Sequence, residues 1–77
     1  MPTVHNENGF RFYFYSHENF EPPHIHVDKG GCTAKIWLIE LSMAKNIGFN
    51  ARELREIMEI VRNNHKMMTE RWYEYFN

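Results

Sequence analysis

Pro22-Pro23-His24-Ile25-His26-Val27-Asp28-Lys29-Gly30-Gly31-Cys32-Thr33-Ala34-Lys35-Ile36-Trp37-Leu38 is the stretch that decides the fold. Its two prolines hold the chain extended and remove two backbone donors, so they mark the start or edge of a strand. From His24 the period of two sends Ile25 and Val27 to a core and both imidazoles, His24 and His26, to the opposite face. Asp28-Lys29-Gly30-Gly31 reads as a turn, because glycine adopts positive φ at little steric cost. Cys32 to Glu40 is then the returning strand of a hairpin. Its alternation sets Ala34, Ile36 and Leu38 on one face and Thr33, Lys35, Trp37 and Ile39 on the other.

Upstream, Phe10, Phe12 and Phe14 alternate with Arg11, Tyr13 and Tyr15, the pattern of a half-buried strand with its phenylalanines inward. Ser16 to Phe20 is a polar connection. Downstream, Leu41 to Phe49 is irregular, with a bend at Gly48. Asn50 then caps a helix, with Glu53 three residues on completing a capping box. Leu54, Met58, Val61, His65, Met68, Trp72 and Tyr75 recur at helical spacing and form one apolar stripe. These signals predict strands at about 10–16, 23–28 and 32–40 and a helix at about 50–76. Unbroken, that helix is about 40 Å long, against a width of roughly 25 to 30 Å for so small a domain. Either it breaks at Asn63-Asn64, both poor helix formers, or Met68, Trp72, Tyr75 and Phe76 project past the sheet as an apolar surface for another chain. We adopt the second reading. The predicted architecture is a single α+β domain over residues 1–77. In it an antiparallel sheet of three strands, with a fourth short one drawn from the first residues as a variant, packs on one long C-terminal helix.

Seventy-seven residues make a small core worth only a few kcal/mol, so a protein partner or self-association is expected. Nine Lys and Arg against ten Asp and Glu give a net charge of -1, which exerts no overall pull on nucleic acid or an anionic membrane. An RNA contact would use a local patch. The one cysteine, Cys32, forms no intrachain disulfide, and a reducing compartment fits best. The first residues lack the basic and apolar run of a signal peptide, and no apolar run reaches the ~18 residues of a membrane span. The expected location is the cytoplasm, with no membrane contact.

Taken together, the opening Met1-Pro2-Thr3, the aromatic strand, Pro22-Pro23-His24-Ile25-His26-Val27, Ala34-Lys35-Ile36-Trp37-Leu38, Gly48-Phe49-Asn50-Ala51-Arg52-Glu53-Leu54 and the ending Trp72-Tyr73-Glu74-Tyr75-Phe76 resemble a known family. It is the bacterial family catalogued as domain of unknown function 4160, and the resemblance covers nearly the whole chain. Members are commonly encoded beside a second small protein, which has led to the pair being proposed as a toxin and its antitoxin. The resemblance therefore implies a toxin-like role and a small antitoxin-like partner. It supplies no catalytic residues. The chain departs from the expected pattern at Phe20-Glu21, where a shorter polar lead into the prolines is the norm.

Three chemistries suit these residues. Metal-independent RNA cleavage through the 2′-hydroxyl needs a base, an acid and a cation. His24 and His26 are candidates for the first two, Lys35 and Arg11 for the third, with Tyr13, Tyr15 and Trp37 as stacking surfaces for bases. The bland alternative is a mixed polar sheet face on which two histidines are compatible neighbours. A metal site on His24 and His26 is a weaker option, because a third ligand would have to come from His5, His17, Glu18 or Asp28 and no spacing compels one. No cofactor is expected. The third option is a non-catalytic binding module using Met68, Trp72, Tyr75 and Phe76 as anchors for a small partner or a second copy. His65 reads as a hydrogen-bonded core residue. The charged helix face, with Arg52, Arg55 and Arg62 interleaved with Glu53, Glu56 and Glu59, reads as solvated and laced with pairs such as Arg52 with Glu56.

Overall fold

Strand pairing in this chain follows from where side chains can be buried and where the backbone can turn. The structure, a computed structural model, describes residues 3–15 and 20–76. The strands are β1 (Thr3–Glu7), β2 (Phe10–Tyr13), β3 (His24–Lys29), β4 (Cys32–Trp37) and β5 (Ser42–Ile47), followed by helices α1 (Ala51–Asn63) and α2 (His65–Phe76). Each strand pairs antiparallel with the next, giving a five-stranded sheet in the order β1-β2-β3-β4-β5. The α+β class stands. Among the described residues there are five strands and two helices in place of three or four strands and one long helix.

The central hairpin forms as its sequence dictates. Gly30 and Gly31 turn with φ of 57° and 84°, and Ile25 pairs Ile36 while Val27 pairs Ala34. These pairs face the helices and are buried with Phe10, Phe12, Phe14 and Leu38. β1 joins β2 through Asn8 and Gly9, both at positive φ, the conformation that a tight two-residue hairpin turn requires. The expected run of the aromatic strand to Ser16 and the polar connection from Ser16 lie partly outside the described residues.

β5 replaces the irregular stretch expected at 41–49. The chain leaves β4 after Trp37 and reverses through Leu38 to Leu41, with Leu41 itself at φ 55°. β5 is a mostly exposed edge strand, so it carries no alternating apolar signal. At its end Gly48 has φ 98°, and a Cβ there would lie 2.7 Å from the Cys32 sulfur. The side chain of Asn46 closes this bend by bonding both the amide and the carbonyl of Phe49, at 3.1 and 3.0 Å.

The capping box predicted at Asn50 is present. Its side chain accepts from the Glu53 amide at 2.8 Å, and Glu53 accepts from the Asn50 amide at 3.1 Å. The helix does not continue to Phe76. At Asn64 the backbone amide is shared between the carbonyls of Ile60 and Val61, and the Asn64 side chain donates to Ile60 at 2.8 Å. These bonds end α1, and the Asn64 carbonyl accepts from Met68 to start α2. His65 anchors the corner by donating its ring N–H to the Leu38 carbonyl, which makes it the hydrogen-bonded residue expected. An unbroken helix of about 40 Å would overrun the molecule, whose longest dimension is 34 Å. The projecting apolar surface is therefore corrected. Met68 and Trp72 are buried, and Trp72 meets Phe14 edge-on at 5.3 Å and Phe76 at 4.1 Å. Tyr75 alone of the four expected anchors is exposed.

Gly48→Ala should lower the free energy of unfolding by about 1–3 kcal/mol, from the left-handed backbone plus the clash with Cys32. In urea denaturation Cys32→Ala should recover the sulfur's share of the clash and leave the Cβ contact at 3.3 Å and the backbone component. Full recovery in the double variant would show that the backbone at Gly48 carries no strain.

Candidate functional site

The face of the sheet turned away from the helices carries the polar half of each strand. Antiparallel register sets Tyr13 opposite His26, His26 opposite Lys35, and Lys35 opposite Lys45, so one row runs straight across four strands. The row borders a trough of about 360 Å³ lined by Tyr13, Tyr15, His26, Lys35, Lys45 and Ile47 among others. Aromatic rings hold the imidazole in place. Tyr13 stacks on His26 at 5.5 Å with 23° between planes, and Tyr15 meets it edge-on at 4.6 Å.

His24 and His26 are neighbours as period two requires, with ring centroids 5.1 Å apart. Their environments differ sharply. His26 is half-buried, whereas His24 has no exposed surface. Trp37 and Trp72 close on His24 at 5.7 and 4.8 Å, and its Nδ1 donates to the Pro22 carbonyl at 2.9 Å. A solute meeting this face can touch His26 and not His24. Arg11 is not brought to His26 or Lys35 and meets the row only at Tyr13. It donates to the Thr3 hydroxyl at 3.0 Å, lies 3.9 Å from Asp28 and covers the Tyr13 ring.

Sequence reasoning missed Glu21 and Lys45. Glu21 accepts from the Lys35 ammonium at 2.5 Å, and Lys35 also lies 4.6 Å from the centre of the Trp37 ring. That hydrogen bond holds the Glu21 carboxyl below the usual glutamate range, outweighing the opposing desolvation, and the charges of Lys35, His24 and His26 add to the lowering. The departure at Phe20-Glu21 was the sequence signal, although nothing in it named Lys35 as the partner. Burial, then hydrogen bonds with Tyr15 and Asp28, pushes the Tyr13 phenol far up, so it stays neutral at every physiological pH. Among the described residues no three His, Cys, Asp or Glu side chains are grouped to hold a metal ion. Of the suggested third ligands, His17 and Glu18 lie outside the described residues, and His5 is bonded to Glu7 at 2.8 Å on the helix-facing side.

Glu21 provides a check on this geometry. Its folded value lies below the unfolded one, so the Lys35 contact is fully formed above the ordinary glutamate value of 4.5 and is lost as pH falls through the lower folded value. Carbon-detected NMR titration should give a Glu21 midpoint below 4.5, and Lys35→Met should return it toward normal. An unchanged midpoint in that variant would show that the ion pair does not form in solution.

No curated protein and no solved structure matches this chain. The family model described as domain of unknown function (DUF4160) matches residues 9–73. That span holds four of the five strands and all but the last residues of the helices, and the chain belongs to that family.

Proposed function

We propose that the protein is the toxin-like member of a bacterial toxin and antitoxin pair and acts on single-stranded RNA with the outward face of its sheet. One observation carries this reading: His26 and Lys35 are direct cross-strand partners on an open trough walled by aromatic rings. An imidazole, which can take up a proton as a base, beside a fixed cation suits 2′-hydroxyl chemistry. Tyr15 and Ile47 are exposed at the trough and offer surfaces for unstacked bases. The toxin-like role itself draws its support from the resemblance, in which members are encoded beside a second small protein.

In this mechanism His26 takes the proton of the 2′-hydroxyl as its oxygen attacks the adjacent phosphorus. The bond from phosphorus to the 5′ oxygen breaks, leaving a 2′,3′-cyclic phosphate, and the Tyr15 phenol gives the departing oxygen its proton. Lys35 and Lys45 neutralise charge on the pentacoordinate phosphate. His24 touches no substrate and acts as a positioning residue, setting the edge against which the His26 ring rests. A second reading, a partner-binding module that catalyses nothing, is favoured by exposed Tyr75. It borders a cavity of about 230 Å³ with Val4, Phe14 and Arg71.

Incubated with a labelled single-stranded RNA in the presence of a chelator, the purified protein should cleave it. His26→Ala should slow cleavage by on the order of 10²-fold or more, and Lys35→Ala by about 10²-fold, with circular dichroism unchanged. Expression of the parent without its neighbour should arrest growth, and His26→Ala should relieve the arrest. A harmless parent would remove the toxin reading, whereas a His26→Ala variant as active as the parent would remove the mechanism.

A further inference from the structure

On the other side of the sheet, α1 leaves one flank uncovered. Leu54, Met58 and Arg62 form a ridge at spacings of four along that flank, and with Met43 from β5 they line a groove of about 420 Å³ that is mainly apolar. Arg55 and Glu59 complete its rim. Leu54, Met58 and Met43 are only half-buried although they pack against the core. The expected surface pair of Arg52 with Glu56 does not form, as Glu56 instead accepts from the Asn8 side chain at 3.1 Å. Neither Arg55 nor Arg62 makes an ion pair among the described residues.

This is the layout of one half of a helix–helix seam. An apolar ridge on one helix receives the ridge of another, and charges seven residues apart along its border choose the partner. We infer that the groove between α1 and β5 docks an amphipathic helix of a second protein, whose carboxylates meet Arg55 and Arg62 and whose one intervening cation meets Glu59. The charge pattern selects this occupant over a second copy of the chain. A copy related by a twofold axis at Met58 would bring Arg55 beside the other copy's Arg62 and Glu59 beside the other copy's Glu59, two like-charge contacts that a helix with the complementary pattern avoids. Methionine and arginine are also the residue types enriched at protein interfaces. The inference rests on the partner half of the function proposed above and is independent of its RNA half. Met43 pairs with inward-facing Ile36, so the groove and the trough lie on opposite faces of the sheet.

The test uses the intact protein and two synthetic helical peptides with the same leucine stripe. One carries Glu, Lys and Glu at successive border positions, and the other carries Lys, Glu and Lys. The first should shift the methyl resonances of Met43 and Met58 and bind at least about tenfold more tightly than the second. The charge-reversed double variant Arg55→Glu/Arg62→Glu should invert that preference, and because both side chains are exposed its fold is checked by the unchanged resonances of the buried Ile57 and Val61 methyls. Equal binding of both peptides, shifts confined to other surfaces, or no shift at all would overturn the assignment. So would sedimentation showing a dimer that Met58→Glu dissolves, since the occupant would then be a second copy. RNA cleavage by Met58→Glu should equal that of the parent, which keeps a failure here separate from a failure of the RNA reading.

Discussion

β3 and β4 pair in one register, and both faces of the molecule follow from that choice. Ile25 against Ile36 and Val27 against Ala34 supply the centre of the core, while His26 against Lys35 supplies the centre of the opposite face. The side-chain period of a strand is two, so a slip of one residue in β3 would turn His26 inward and expose Ile25 and Val27, and the same slip in β4 would bury the Lys35 ammonium and expose Ala34 and Ile36. Burying a charged group without a partner costs far more than any contact on this face returns. The hydrophobic demand of the core therefore holds the polar row in alignment. The aromatic walls then fix the ring of His26 more tightly than backbone pairing alone would.

Parts of this arrangement were legible because they depend on neighbours in sequence. The inward phenylalanines of β2, the shared face of His24 and His26, the turn at Gly30-Gly31 and the cap at Asn50 each rest on a spacing of a few residues. β5 was not legible, since Ser42 to Ile47 is exposed along most of its length and the turn before it contains no glycine or proline, only Leu41 in a left-handed conformation. The break at Asn64 was visible as an option. Choosing it required knowing where the core ends, and Leu38, which receives His65, is distant in sequence. The burial of His24 was hidden for the same reason, because Trp72 reaches it only after the helix has turned back. Pattern alone could place both histidines on one face but could not show that one of them is covered.

The two faces use charge in opposite ways. On the trough, Lys35 is already engaged by Glu21, so an anion that binds there meets a competing carboxylate. That exposed pair is worth little as a contribution to stability. Along α1, Arg55 and Arg62 have no such competitor among the described residues, and the half-buried methionines beside them present flexible, polarisable surface that adapts to the shape laid against it.

The sheet is open at both ends, and each end strand departs from regular register. The irregularity falls between Thr3 and His5 in β1, and at Lys35/Ile36 where β4 meets β5. An end strand with a regular ladder is a template for endless strand addition, the route by which small β proteins assemble into fibrils. A break in the ladder interrupts that template and increases local twist, so an incoming strand finds only a few bonds in phase. A chain this short, with little core to spare, thereby resists polymerisation through geometry at its margins and needs no extra residues to do so.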